Sequence, residues 1–201
     1  MNFARLFVIL PPNIYIFGMN LEDYKTLKAK APQEGFVVGL LWLAAFACYI
    51  GQLKYPWLGL MWMPFSVLSL VVPIDHLRGY RNRKLDYLPY FKAFVYLFLV
   101  FLYATLIMAL GQWIYFQFID GGFLYSELMK TYESPEFKRV FEAYKDVEGF
   151  DMDIFKAAIE QFFQLRPIDI AFQFLSLDVV VSLFLALFGA MLSMGKKIQK
   201  T

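Results

Sequence analysis

The sequence predicts an all-α integral membrane protein, a four-transmembrane-helix bundle with an amphipathic helical pair in the external loop between spans three and four. Three observations carry that prediction. Hydrophobic residues make up 60% of the 201 positions and aromatic ones 20%, well above the roughly 45–50% apolar content of a soluble domain. Charged residues, 18% of the chain, gather in four clusters that leave long uncharged runs between them. Lysine and arginine are also shared unevenly among those clusters, as they are when a chain crosses a bilayer repeatedly.

Four runs reach the roughly 20 residues that a helix needs to cross about 30 Å of hydrocarbon. Residues 35–53 form the first, with no charge. Residues 55–74 follow after the single Lys54, so the two spans must form a tight hairpin. Pro56 suits the first turn of the second span, because no intrahelical hydrogen bond is lost there. Pro64, further in, is expected to kink it. The third run, residues 93–119, would be about 40 Å long as a helix and so must tilt or protrude. The fourth is residues 170–195, interrupted only by Asp178.

Residues 75–92 form a basic loop with Arg78, Arg81, Arg83, Lys84 and Lys92 against Asp75 and Asp86, and the tail 196–201 carries Lys196, Lys197 and Lys200. By the positive-inside rule both are cytoplasmic. Residues 120–168 hold ten acids and six bases and belong outside, which for a bacterial inner membrane is the periplasm. Residues 1–34, with Arg5, Lys25, Lys28 and Lys30, are then cytoplasmic or interfacial. The apolar stretch 6–10 is cut short by Pro11 and Pro12, below the length of a signal-peptide core, so the amino terminus is expected to be retained. Residues 6–19 are too short and broken to span and are expected at the interface.

The external loop reads as folded. Ser134 is a natural N-cap and Pro135 a first residue, with Phe137, Val140, Phe141, Tyr144 and Val147 at helical spacing up to Gly149. Asp151 or Asp153 can cap a second helix, in which Phe155, Ala158, Ile159, Phe162 and Phe163 share a face before Pro167. Such faces need a surface: each other, the bilayer, or a partner.

Few residues suggest chemistry. Asp178 is the one acid inside an apolar span, and an ionisable group at depth is a functional candidate by default. It could form an intramembrane polar site with Gln112 and Gln173, or it could sit at the outer boundary if residues 179–195 alone make the span. In span three Tyr96, Tyr103, Gln112, Tyr115 and Gln117 are polar handles for neighbouring helices. Arg78, Arg81, Arg83 and Lys84 could contact anionic lipid, or could serve topology alone. Gly35 and Gly39, like Ala47 and Gly51, lie one turn apart and favour close helix approach. His76, the single histidine, adjoins Asp75, but no serine, cysteine or second histidine is placed to make a catalytic dyad, and one histidine does not make a zinc site. The one cysteine, Cys48, lies in an apolar run, so no disulfide framework or cysteine metal site is expected. A net charge of +2 leaves nucleic-acid binding without an electrostatic basis. No repeats or paired broken helices of a secondary transporter are present.

The segments RGYRNRK, YFQFIDGGFLYSELM, IFKAAIEQFFQLRP and VVSLFLALFGAMLSMGKK give the second half, about residues 75–197, a likeness. It resembles a family of four-span inner-membrane proteins of the Bacteroidota designated domain of unknown function 4199. The resemblance implies the four-span fold and no particular activity.

The function expected from these features is non-enzymatic: an accessory or scaffold subunit of an inner-membrane complex, in contact with lipid and with a protein partner or further copies of itself. No catalytic residue, cofactor or metal is expected. The alternative is a small transporter or lipid-handling protein that uses Asp178 and the polar residues of span three. An enzyme resting on Asp75 and His76 comes third.

Overall fold

The computed structural model describes residues 21–85, 87–143 and 152–196. The expectations placed on residues 1–20, on Asp86, Tyr144, Val147, Gly149 and Asp151, and on residues 197–201 lie outside the described residues. The architecture is α-helical, and four helices are long and apolar enough to cross a membrane: Lys25–Gly51, Pro56–Lys84, Tyr90–Ile119 and Pro167–Ser193.

Helix α1 runs from Leu21 to Gly51, so the charged stretch with Lys25, Lys28, Lys30 and Glu34 is not a separate segment but the first turns of span one. At about 46 Å it exceeds the hydrocarbon thickness, and its charged end projects. A turn follows in which the amides of Lys54 and Tyr55 bond the Gly51 carbonyl, the tight hairpin that the single lysine predicts. Span two then begins with a 3-10 turn, Pro56–Leu60, in which Pro56 occupies the opening position. The α-helix proper, α2, is Trp62–Lys84.

The mid-span kink expected at Pro64 is therefore not how the chain resolves this proline. The helix breaks at Met61 and restarts at Trp62, which puts Pro64 in a first turn where its missing N–H costs nothing. The interior proline is Pro73, buried against the bundle, and it leaves the Ser69 carbonyl without its helical donor. The basic loop is also shorter than the charge pattern suggests. Helix α2 continues to Lys84 because Leu77 and Tyr80 keep the core-facing spacing and are buried. The connection reduces to residues 85–89, where strand β1 (Tyr87–Leu88) pairs antiparallel with strand β2 (Gly195–Lys196). This two-residue pairing ties the start of span three to the end of span four.

Helix α3, Tyr90–Ile114, is the central element. Ala93, Tyr96, Leu97, Val100, Phe101 and Ala104 recur every three or four residues and are buried. Helix α1 lies close against it where the sequence places its small residues. A Cβ on Gly35 would meet the Tyr103 Cβ at 2.5 Å and the Val100 carbonyl at 2.7 Å, and one on Gly39 would meet the Ile107 Cβ at 2.7 Å. The long third run ends in a π-helical turn, Tyr115–Ile119, and the chain reverses through Gly121 and Gly122, both with positive φ.

The loop beyond contains three described helices rather than two: α4 (Phe123–Glu133), α5 (Pro135–Ala143) and α6 (Met152–Phe163). Ser134 caps α5 as predicted, its Oγ accepting the Phe137 amide at 3.2 Å. The apolar faces of α5 and α6 meet each other: Phe137 and Phe141 pack against Phe155, with Tyr132 of α4 beside them. Helix α7, Pro167–Ser193, completes the bundle. Its N-terminal half is met by the loop through Phe162 against Phe174.

Candidate functional site

From the middle of the bundle toward the α1–α2 turn, a groove of about 330 Å³ opens between α1, α2 and α7. Helix α1 contributes Trp42, Phe46 and Tyr49, α2 contributes Trp62, Ser66 and Ser69, and α7 contributes Asp178. Half-exposed Tyr49 and Val181 border it, so it faces the lipid rather than an enclosed interior. Its aromatic wall is braced: Trp42 stacks on Phe101 of α3 at 6.2 Å and 4°, and Tyr49 meets Trp62 edge-on at 6.5 Å.

A relay of hydrogen bonds commits three of the donors in this wall. Trp42 Nε1 donates to Ser69 Oγ at 2.8 Å, Ser69 Oγ donates to the Ser66 carbonyl at 2.7 Å, and Ser66 Oγ donates to the Trp62 carbonyl at 2.9 Å. Serine hydroxyls in helices commonly return to the preceding turn in this way. Across the groove the situation is reversed. Asp178 Oδ2 is buried without a hydrogen-bond partner, and so, outside the groove lining, is Ser182 Oγ one turn further along α7. Asp178 stands eleven residues past Pro167 and fifteen before Ser193, roughly 16 and 22 Å from the two helix ends. It is a mid-helix residue. The first-turn acid is Asp169, which Arg166 grips at 2.7 and 3.0 Å.

The residues that sequence grouped with Asp178 do not join it. Gln173 is exposed on α7. Gln112 is buried with Oε1 unpartnered, but it does not line the groove. In span three Tyr115 turns away to Asp120, donating to Oδ1 at 2.8 Å, while that carboxylate also accepts the amides of Gly122 and Leu124 at 3.1 Å. Asp120 thereby caps the start of α4. Nearby, a cavity of about 560 Å³ at the loop end is lined by Gln117, Asp120, Glu160 and Gln164 among others.

The four basic candidates divide. Arg78 Nε donates to the Leu192 carbonyl at 2.8 Å, and Arg81 Nη1 donates to the carbonyls of Ser193 and Met194 at 2.8 and 2.9 Å. These are the last carbonyls of α7, which have no intrahelical donor, and a cation there also meets the negative end of the helix dipole. Arg81 is buried by this work. Arg83 and Lys84 stay exposed and remain available to lipid. His76 does not turn to Asp75. Its Nδ1 lies 2.8 Å from Glu34 Oε2 of α1, a partly exposed pair beside a cavity of about 210 Å³ that Lys30 and Arg83 also line. Among the described residues no group of three or more histidine, cysteine or acidic side chains is placed to hold a metal ion.

Over residues 33–194 the chain matches the family described as protein of unknown function, DUF4199. The chain belongs to that family. The match takes in spans two to four of this DUF4199 protein whole and span one from residue 33, which includes Trp42 at the groove. No curated protein and no solved structure matches it.

Sequence reasoning found Asp178 but missed its surroundings in this DUF4199 member. Trp42, Ser66, Ser69 and Ser182 each look ordinary within a span. The available signal was spacing: Ser66 with Ser69, and Asp178 with Ser182, share helix faces at i,i+3 and i,i+4.

Proposed function

We infer that the protein is a non-enzymatic accessory protein of the bacterial inner membrane that holds a second molecule within the bilayer, at the groove between α1, α2 and α7. One observation carries this reading: Asp178 lines that groove from the middle of α7, and one of its carboxylate oxygens is buried with nothing to bond. An ionisable group at such depth costs roughly 2.5–3.5 kcal/mol on insertion scales, and it is tolerated where it pairs with something. The surface that invites a companion is thus inside the membrane. The external helices support a partner less well, because Phe137 and Phe141 of α5 already pack against Phe155 of α6, which leaves Val140 as the exposed part of the α5 stripe.

The orientation proposed puts the end carrying Lys30, Arg78, Arg81, Arg83, Lys84 and Lys92 in the cytoplasm, together with both termini, and α4 to α6 in the periplasm. The test is native mass spectrometry after extraction into lipid nanodiscs. Wild type is expected to retain a non-covalent companion, a protein subunit or a lipid-sized molecule, that Asp178→Asn releases. Wild type emerging at the mass of the bare chain would overturn the reading.

A further inference from the structure

Resting on that reading of the groove, we propose that its occupant is a lipid-soluble organic cation, an ammonium group carried on an apolar body. Three features of the groove select this chemistry. First is the state of its hydrogen-bonding groups. The Trp42 N–H and the hydroxyl protons of Ser66 and Ser69 are already committed, whereas Asp178, which lines the groove, has a carboxylate oxygen without a partner. The donors left uncommitted in the lining, the Tyr49 hydroxyl and the Trp62 indole N–H, are neutral, while Asp178 still lacks a proton donor. A phosphate or carboxylate headgroup would meet an acid in the lining and no cation to offset it.

Charge is the second feature. Asp178 lines the groove and no lysine, arginine or histidine does. An ionised carboxylate accepts only, and in a low-dielectric setting an ammonium both neutralises it and satisfies it. Third, four aromatic side chains, Trp42, Phe46, Tyr49 and Trp62, share the lining with that acid. Ring faces attract cations within about 6 Å, and aromatic cages recognise alkylammonium groups by this means. The volume lies at the small end of ligand pockets, about 300–1,000 Å³, and the lateral opening admits a ligand from lipid without a path through water.

The proposal is tested with radiolabelled dodecylamine and dodecanol, dialysed at neutral pH against wild type, Asp178→Asn and Asp178→Glu in nanodiscs, with uptake by empty nanodiscs subtracted. The expected result is saturable uptake of about one amine per wild-type chain, at least tenfold weaker in Asp178→Asn, partly restored in Asp178→Glu, and no saturable uptake of the alcohol. Equal saturable uptake of amine and alcohol by wild type overturns the cation while leaving the groove a binding site. No saturable uptake of either overturns both. Because the amine and alcohol are compared on wild type, the proposal remains falsifiable even if a variant misfolds.

Discussion

Arg81→Met should loosen the end of span four more than any other change in the basic cluster. The methionine keeps an apolar stem of similar reach but deletes the guanidinium that donates at 2.8 and 2.9 Å to the carbonyls of Ser193 and Met194. Hydrogen bonds from charged groups contribute about 1.5–3 kcal/mol each. Arg78 still holds the Leu192 carbonyl, and water can reach part of the freed end, so a net loss of about 2–4 kcal/mol is expected rather than the full sum. Reversible denaturation in mixed micelles measures it, and amide exchange locates it: protection should fall over residues 189–196 and spare α1. Arg81→Lys should recover less than half, because an ammonium lacks the fork. Arg83→Met, at an exposed position, should stay within about 0.5 kcal/mol of wild type. If Arg81→Met and Arg83→Met were equally mild, the capping argument would be refuted.

Three further outcomes follow from the packing. Gly39→Val should cost about 1–3 kcal/mol in the same denaturation assay, since a Cβ there meets the Ile107 Cβ at 2.7 Å and the Ala104 Cα at 3.3 Å; an unchanged midpoint would mean that α1 and α3 are not in contact at this level. Asp178→Leu should stabilise the unliganded protein by about 1–3 kcal/mol, because an unpaired buried polar group disappears, while abolishing retention of the companion; destabilisation would mean that Asp178 is paired within the fold. Asp120→Ala should speed amide exchange at Gly122 and Leu124 by about tenfold or more as their acceptor is lost, with α7 unaffected, and slow exchange there would contradict its capping role.

Much of the fold was legible because the membrane restricts the choices. Uncharged runs of spanning length marked all four helices, and the small residues Gly35 and Gly39 marked the close face of α1. Other features depended on competition that composition does not display. Pro64 looked mid-span because the break at Met61 has no sequence marker of its own. The arginines of α2 looked like a loop because charge density hid the helical spacing of Leu77, Tyr80 and Arg81. Helix α4 escaped notice because its start is set by the Asp120 carboxylate and by two positive-φ glycines, not by a standard cap next to an apolar stripe. The groove was half legible. A lone acid in a span is conspicuous, but its neighbours come from helices about 110 and 135 residues earlier, at Ser69 and Trp42, and no local pattern links them. Gln112 and Gln173 were grouped with Asp178 by polarity alone; rotation along α7 turns Gln173 to another face, and Gln112 is buried without a hydrogen bond to Asp178.

The account depends most on Asp178 lying within the bilayer at a groove open to lipid. A nitroxide attached at Asp178→Cys in a Cys48→Ser background, reconstituted in nanodiscs, tests this by paramagnetic relaxation. Fast relaxation by oxygen with protection from a water-soluble nickel chelate is the predicted result. Fast relaxation by the chelate would place the residue in water, protection from both would place it in a closed interior, and either contradicts the account.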